Sequence, residues 1–227
     1  MTAAMIELQK VGHRYPGQPA VESLRDVDLI IHAGELVAVM GPSGSGKTTL
    51  LHIVGTLDRP TSGTVRIAGL NVSGMSDREL SGFRAARLGF VFQQFFLLDG
   101  MSVLDNVAAG LLYRGLDPAS RRRAALEALD RVGLGHRLRH RPGQLSGGER
   151  QRTAIARAIA GRPAVVLADE PTGNLDSLSG AGIVDALRDL NRDGTTVIVI
   201  THSPVVAGAM HRTIEIKDGR IEADSDG

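Results

Sequence analysis

The sequence predicts an α/β fold in which a mostly parallel sheet is flanked by helices. Short runs rich in Val, Ile and Leu alternate with helical patterns, the signature of parallel strands joined by crossover helices. A glycine-rich loop sits between one such strand and the helix after it. The middle of the chain, from about residue 95 to 162, carries helix signals only. The organisation expected is one domain over residues 1–227. Its core spans approximately 1–94 and 163–227, and a helical subdomain of approximately 95–162 is inserted into it.

In chain order, residues 36–40 read as a buried strand and 49–57 as the helix following the glycine loop. Residues 64–67 form a short strand. Ser76 with Glu79 is a capping box opening a helix that ends near Arg87, and 88–92 is the next strand. Ser102 can cap a helix to about Tyr113. Asp117-Pro118 starts another, stopped at Gly133, and a third follows Ser146-Gly147-Gly148. Alternation resumes with a strand at 165–168, a helix at about 179–191 and a strand at 196–201. Ser203-Pro204 begins a helix, and 213–222 reads as a hairpin turning at Asp218-Gly219.

Composition narrows the function classes. A net charge of +1 gives no global case for nucleic acid or anionic lipid. The arginine clusters at 121–123 and 137–141 read as a solvated helix face and a loop, opposed by local acids. With no cysteine, disulfides, thiolate zinc and iron–sulfur sites held by this chain alone are excluded. The N-terminal stretch lacks a basic region followed by a long apolar run, which predicts no signal peptide. No apolar run approaches the roughly 20 residues that span a bilayer. The expectation is a cytoplasmic chain that contacts a membrane only through another subunit.

Residues 41–48, GPSGSGKT, fit the phosphate-binding pattern G-x-x-x-x-G-K-[ST] between strand and helix. Small residues at Gly41, Pro42, Ser43, Gly44, Ser45 and Gly46 let backbone N–H groups curl around phosphate oxygens at a helix N-terminus. Lys47 is placed to reach the β- and γ-phosphates of ATP, and the Thr48 hydroxyl to ligate Mg²⁺. The strand at 165–168 ends in Asp169-Glu170. Asp169 would hold Mg²⁺ through water, and Glu170 would orient or deprotonate the attacking water. Taken alone, that pair reads equally well as a solvated acidic turn, and His202 as a polar loop residue. All three features follow predicted parallel strands at their carboxyl ends, where open α/β sheets bind ligands.

Residues 145–152, LSGGERQR, open a helix with Ser146, Gly147 and Gly148 at its positive end. By physics alone this is a Ser-capped helix preceded by a glycine turn. The run closely resembles the signature of ATP-binding-cassette (ABC) ATPases, and the resemblance covers essentially the whole chain. It implies a P-loop NTPase core with N-terminal antiparallel β elements and an inserted helical signature subdomain. It also implies that Ser146, Gly147 and Gly148 complete the ATP site of a second copy. Tyr15 then resembles the aromatic that stacks on adenine, and Thr49 extends the nucleotide-binding set. Gln93 resembles the glutamine that senses Mg²⁺ and the attacking water, with Gln94 beside it leaving the register open. Asp176 resembles the loop aspartate that communicates across the dimer. Glu170 and His202 fall where the family has its catalytic glutamate and switch histidine. Glu149 stands where the signature often has glutamine, and Asp99-Gly100 where relatives often carry proline.

The resemblance implies an ATP-dependent homodimer that drives an integral membrane permease subunit from the cytoplasmic face. The run 169–176, DEPTGNLD, is most similar to the subfamily of macrolide-exporter, lipoprotein-release and cell-division ATPases. Export or envelope transmission is therefore the expected role. An importer ATPase would share every catalytic residue. A cell-division-type force-transmitting ATPase that carries no substrate and a soluble single-cassette assembly ATPase stand as further alternatives.

Overall fold

A computed structural model describes residues 3–225. In chain order the elements are β1 (Ala4–Tyr15), β2 (Val21–His32), β3 (Leu36–Met40), α1 (Lys47–Val54), β4 (Ser62–Ile67), β5 (Leu70–Asn71) and α2 (Asp77–Arg87). They continue with β6 (Leu88–Val91), α3 (Val103–Ala109), α4 (Pro118–Arg131), α5 (Gly147–Ile159), β7 (Val165–Asp169) and α6 (Ser177–Arg192). The last are β8 (Thr196–Ile200), α7 (Pro204–Ala207), β9 (Arg212–Lys217) and β10 (Arg220–Asp224). Short 3₁₀ turns lie at Leu112–Arg114, Gly135–Arg137 and Pro142–Gln144. The fold is α/β, with an N-terminal antiparallel sheet beside parallel strands. The residues gather into two compact units, one up to Leu80 together with Asn191 onwards, the other Ser81–Leu190.

In the first unit, β2, β1, β4 and β5 form an antiparallel sheet in that order. Along β1 the residues Ile6, Leu8 and Val11 are buried against Leu24, Leu29 and Ile31 of β2, the alternation of a half-buried strand. β3 runs parallel to both β8 and β9 and is buried along 36–39, as expected for a strand covered on both faces. β9 and β10 form the expected hairpin, and both turn residues have positive φ, Asp218 at 49° and Gly219 at 78°. Arg212 anchors this hairpin. Its guanidinium donates to Glu35 at 2.7 Å and to both oxygens of Asp224 at 2.9 and 2.6 Å.

In the second unit, β6 and β7 pair in parallel and α3, α4 and α5 pack through Val107, Leu129 and Ile155, all fully buried. The turn before α3 is held by one buried amide. Asn106 Oδ1 accepts from Leu98 N–H at 2.7 Å, while its Nδ2 donates to the carbonyls of Leu98 and Ser102.

β4 and α6 begin two residues before their expected starts, and three further helices differ from their sequence expectation for reasons visible in the structure. α1 starts two residues early, because left-handed Gly46 (φ 106°, ψ 0°) turns the chain straight into the helix, and it stops before Gly55. The helix expected to reach Tyr113 ends at Ala109, and the chain goes on as a 3₁₀ turn. Arg114 at its end is diverted to donate to the carbonyls of Gly161 and Ala86. The helix after Ser203-Pro204 is a single turn, closed by Gly208.

Candidate functional site

The glycine loop belongs to the first unit, between β3 and α1. Gly41 and Gly46 are required by their neighbours. A Cβ on Gly41 (φ 151°) would lie 2.0 Å from the Ile216 carbonyl, and one on Gly46 2.4 Å from the Ser23 carbonyl. The β9–β10 turn braces the loop, since Gly219 N–H donates to the Ser45 carbonyl at 3.0 Å. Lys47 arches back over it, with Nζ 2.8 Å from the carbonyls of both Gly41 and Pro42. The Ser45 hydroxyl is buried and has no hydrogen-bond partner among the described residues. Thr48 opens the first turn of α1 with its side chain exposed. Buried Thr49 lies 3.3 Å (Oγ1) from the hydroxyl of half-exposed Tyr15, whose ring meets His13 edge-on at 4.4 Å.

Register places His202 on the same edge. Val39 of β3 pairs with Ile200 of β8, so Gly41 and His202 each lie two residues beyond a paired position. His202 is exposed, and the turn behind it is fixed by Ser203 N–H donating to Thr201 Oγ1 at 3.0 Å.

The second unit repeats this arrangement. Val91 of β6 pairs with Ala168 of β7, so Gln93 and Glu170 stand level, again two residues beyond the ladder. Glu170 has φ 44°, an uncommon conformation for a residue with a side chain. Gln93 and Asn174 form a reciprocal amide pair. Gln93 Nε2 donates to Asn174 Oδ1 at 3.4 Å, and Asn174 Nδ2 to the Gln93 carbonyl at 3.0 Å. Gly173 makes room for it, since a Cβ there would meet Gln93 Nε2 at 2.8 Å. Asp169 closes β7 half-buried.

Ser146 caps α5 through a capping box. Its hydroxyl accepts from Glu149 N–H at 3.2 Å, and Glu149 Oε2 accepts from Ser146 N–H at 2.9 Å. The Glu149 carboxyl lies below its ordinary range because it accepts that N–H and also pairs with Arg137 Nε at 2.8 Å. Gly147 packs on Leu175 and Gly148 on Ser179, each with only 3.1–3.2 Å between a hypothetical Cβ and that side chain. Asp176, which accepts from both the N–H and the hydroxyl of Ser179, is thereby tied to the signature glycines of its own chain. Those two bonds also hold the Asp176 carboxyl below its ordinary value.

Asn174 and Gln151 escape sequence reasoning, because their partners lie 81 and 20–59 residues away. The one sequence signal at Asn174 is the preceding Gly173, which leaves space for an amide.

The family model described as ABC transporter matches residues 24–173, spanning both the glycine loop and the signature. The chain belongs to the ABC transporter family. It is an ATP-binding cassette with ATPase chemistry. It is 51% identical over 98% of its length to the macrolide export ATP-binding/permease protein MacB 1/2 of Paracoccus denitrificans, covering 33% of that protein. The cassette thus spans about a third of the length of the MacB relatives it matches. It is 46% identical to YknY of Bacillus subtilis, described as an uncharacterized ABC transporter ATP-binding protein, over 98% of this chain and 97% of that one. Among solved structures it resembles the bacterial ABC transporter cassette MJ0796 in its dimeric structure. The TM-score is 0.88 and the identity 44%, over 97% of this chain and 98% of that one. A second MJ0796 dimer, in a post-hydrolysis state bound to ADP and Pi, matches at TM-score 0.88 and 43% identity.

Among the described residues, no three His, Cys, Asp or Glu side chains group into a metal site. Mg²⁺ takes oxygen donors, among them phosphate oxygens, hydroxyls, carboxylates and waters. The exposed hydroxyl of Thr48 and the carboxylate of Asp169 are the donor types such an ion takes. No helix among the described residues is long and apolar enough to cross a membrane.

Proposed function

We propose that this cassette is the ATP-hydrolysing motor of an export or envelope-transmission transporter, acting as a head-to-tail homodimer on a separate membrane permease at the cytoplasmic face. The observation that carries this reading is the 51% identity, over 98% of the chain, to one third of a macrolide export ATP-binding/permease protein. The dimeric state of MJ0796 at 44% identity supports the homodimer.

In this reading Tyr15 stacks on the adenine, and residues 41–49 bind the phosphates, with Lys47 swinging from the Gly41 and Pro42 carbonyls onto the β- and γ-oxygens. Thr48, Gln93 and, through water, Asp169 are the residues that would hold Mg²⁺, which would supply charge neutralisation when bound. Glu170 accepts a proton from the attacking water as its oxygen bonds to the γ-phosphorus and the bond to the bridging oxygen breaks, leaving ADP and phosphate. His202 contacts the γ-phosphate. Ser146, Gly147 and Gly148 bind the partner copy's ATP, and Asp176 reports across the dimer. Residues 95–162 act as the helical subdomain that passes closure to the permease.

The test is a pull-down of tagged Glu170→Gln with ATP from detergent-solubilised native membranes. A co-purifying membrane protein with few spanning helices and a large extracytoplasmic domain is the expected result. A many-helix permease would make the motor an importer, and an intact ATP-bound dimer with no membrane protein would overturn the transport role.

A further inference from the structure

The side chain of Gln151 is fully buried on α5, in the first turns after the signature glycines. Its Nε2 has two hydrogens and spends both on backbone carbonyls, Pro171 at 2.8 Å and Phe92 at 3.2 Å. Pro171 directly follows Glu170, and Phe92 directly precedes Gln93. The β6–β7 ladder ends at Val91 and Ala168, so the two strands have left their shared register where these carbonyls lie. One amide joins the two exits there. Its Oε1 is buried without a hydrogen-bond partner among the described residues. An amide kept for packing alone would be replaced at no loss by a methionine of similar volume, which would bury no orphan acceptor. The position retains a donor pair, and its two acceptors flank the residues assigned to water activation and Mg²⁺ sensing.

We infer that Gln151 is a positioning residue for hydrolysis, which fixes Gln93 and Glu170 relative to each other and ties both to the signature helix. The inference rests on the proposed roles of Gln93 and Glu170. Glu170 already holds an uncommon backbone conformation, and Pro171 behind it is buried, so the Pro171 carbonyl is the natural point at which to hold that turn. Gln93 has its own tie to Asn174 in the same turn. Gln151 therefore closes a ring of contacts that runs from α5 through Phe92 and Gln93 to the 170–174 turn and back.

The experiment is steady-state ATPase kinetics on the full chain, comparing wild type with Gln151→Met, Gln151→Glu, Glu170→Gln and Thr153→Val. Gln151→Met keeps the volume and removes the donors. Gln151→Glu keeps the shape and turns an acceptor toward two carbonyls. Thr153 is an equally buried neighbour on α5 whose hydroxyl donates only to the Glu149 carbonyl at 2.8 Å, so its variant controls for damage to the helix. Misplacement of reacting groups by about 1 Å costs up to about 100-fold, so kcat is expected to fall about 10- to 100-fold in both Gln151 variants. The KM for ATP should stay within about twofold, since uniform binding is untouched. The Mg²⁺ concentration for half-maximal activity should rise in both, and Thr153→Val should keep wild-type kcat. If Gln151→Met fails to accumulate folded, Gln151→Asn, which keeps the amide one methylene short, carries the same prediction. Wild-type kcat in the folded Gln151 variants beside an inactive Glu170→Gln would overturn the inference and leave the site reading standing. A matching loss in Thr153→Val would also overturn it. An active Glu170→Gln would remove the site reading itself.

Discussion

Replacing glycine by alanine at two positions of one loop separates conformational strain from steric exclusion. Gly44 and Gly46 both have positive φ, at 80° and 106°. A Cβ on Gly44 meets nothing within 4 Å. On Gly46 it would lie 2.4 Å from the Ser23 carbonyl oxygen and 3.0 Å from Leu24 Cδ2. Left-handed backbone costs a residue with a Cβ about 1–2 kcal/mol, and reduced freedom of the unfolded chain offsets roughly 0.4–1 kcal/mol of that at either position. Gly46→Ala carries an additional overpacking cost of about 1–3 kcal/mol, because the obstructing atom is backbone and cannot rotate away. The difference between the two variants is therefore about 2 kcal/mol, which in a chain of this size is about 4–8 °C in Tm. Thermal unfolding without nucleotide, followed by circular dichroism, reads it directly. Gly44→Ala should melt within a few degrees of wild type and Gly46→Ala clearly below it. Equal melting points would refute the claim that the β2 backbone requires glycine at position 46.

Lys47→Ala should abolish tight ATP binding by titration calorimetry while leaving Tm near wild type, since the Nζ bonds are to carbonyls of its own loop. Arg157 is largely buried, which pushes its guanidinium below its ordinary value, and it donates to the carbonyls of Phe95 and Phe96. Arg157→Met should cost about 1.5–3 kcal/mol in urea unfolding, the range for hydrogen bonds to a charged donor. Asp117 accepts from the Ser120 hydroxyl and caps α4 through the N–H groups of Ser120 and Ala119, which together hold its carboxyl below 3.8. A depressed folded value means that the capping is fully present above about pH 5 and is lost as pH falls through that value. The Tm gap between wild type and Asp117→Ala should be widest near neutrality and close below pH 3.8; a gap that stays constant would show that ionised Asp117 does not cap the helix.

Much of this cassette is legible in its sequence because its local signals agree with its tertiary register. Buried strands bounded by caps and glycines fix β3, β6, β7 and β8 to within a residue or two. Parallel pairing then sets Gly41 level with His202 and Gln93 level with Glu170. What stayed hidden depends on contacts between distant segments. The departure at Glu149 reads in sequence as a mere variant, yet it is both the capping-box partner of Ser146 and the ion-pair partner of Arg137. Gln151 and Asn174 are not singled out by sequence, because their partners lie 20 and 59 residues away for the first and 81 for the second. The helix expected to reach about Tyr113 ends at Ala109 with Gly110 as its cap, and the Gly161 carbonyl to which Arg114 donates lies 47 residues away.

The central claim, an ATP-gated homodimer whose hydrolysis depends on Glu170, is tested most directly by sedimentation of Glu170→Gln with and without ATP, with phosphate release measured in parallel. The account predicts a monomer without nucleotide, a stable dimer holding two ATP with it, and almost no phosphate. A mass unchanged by ATP, or phosphate released at the wild-type rate, would contradict it.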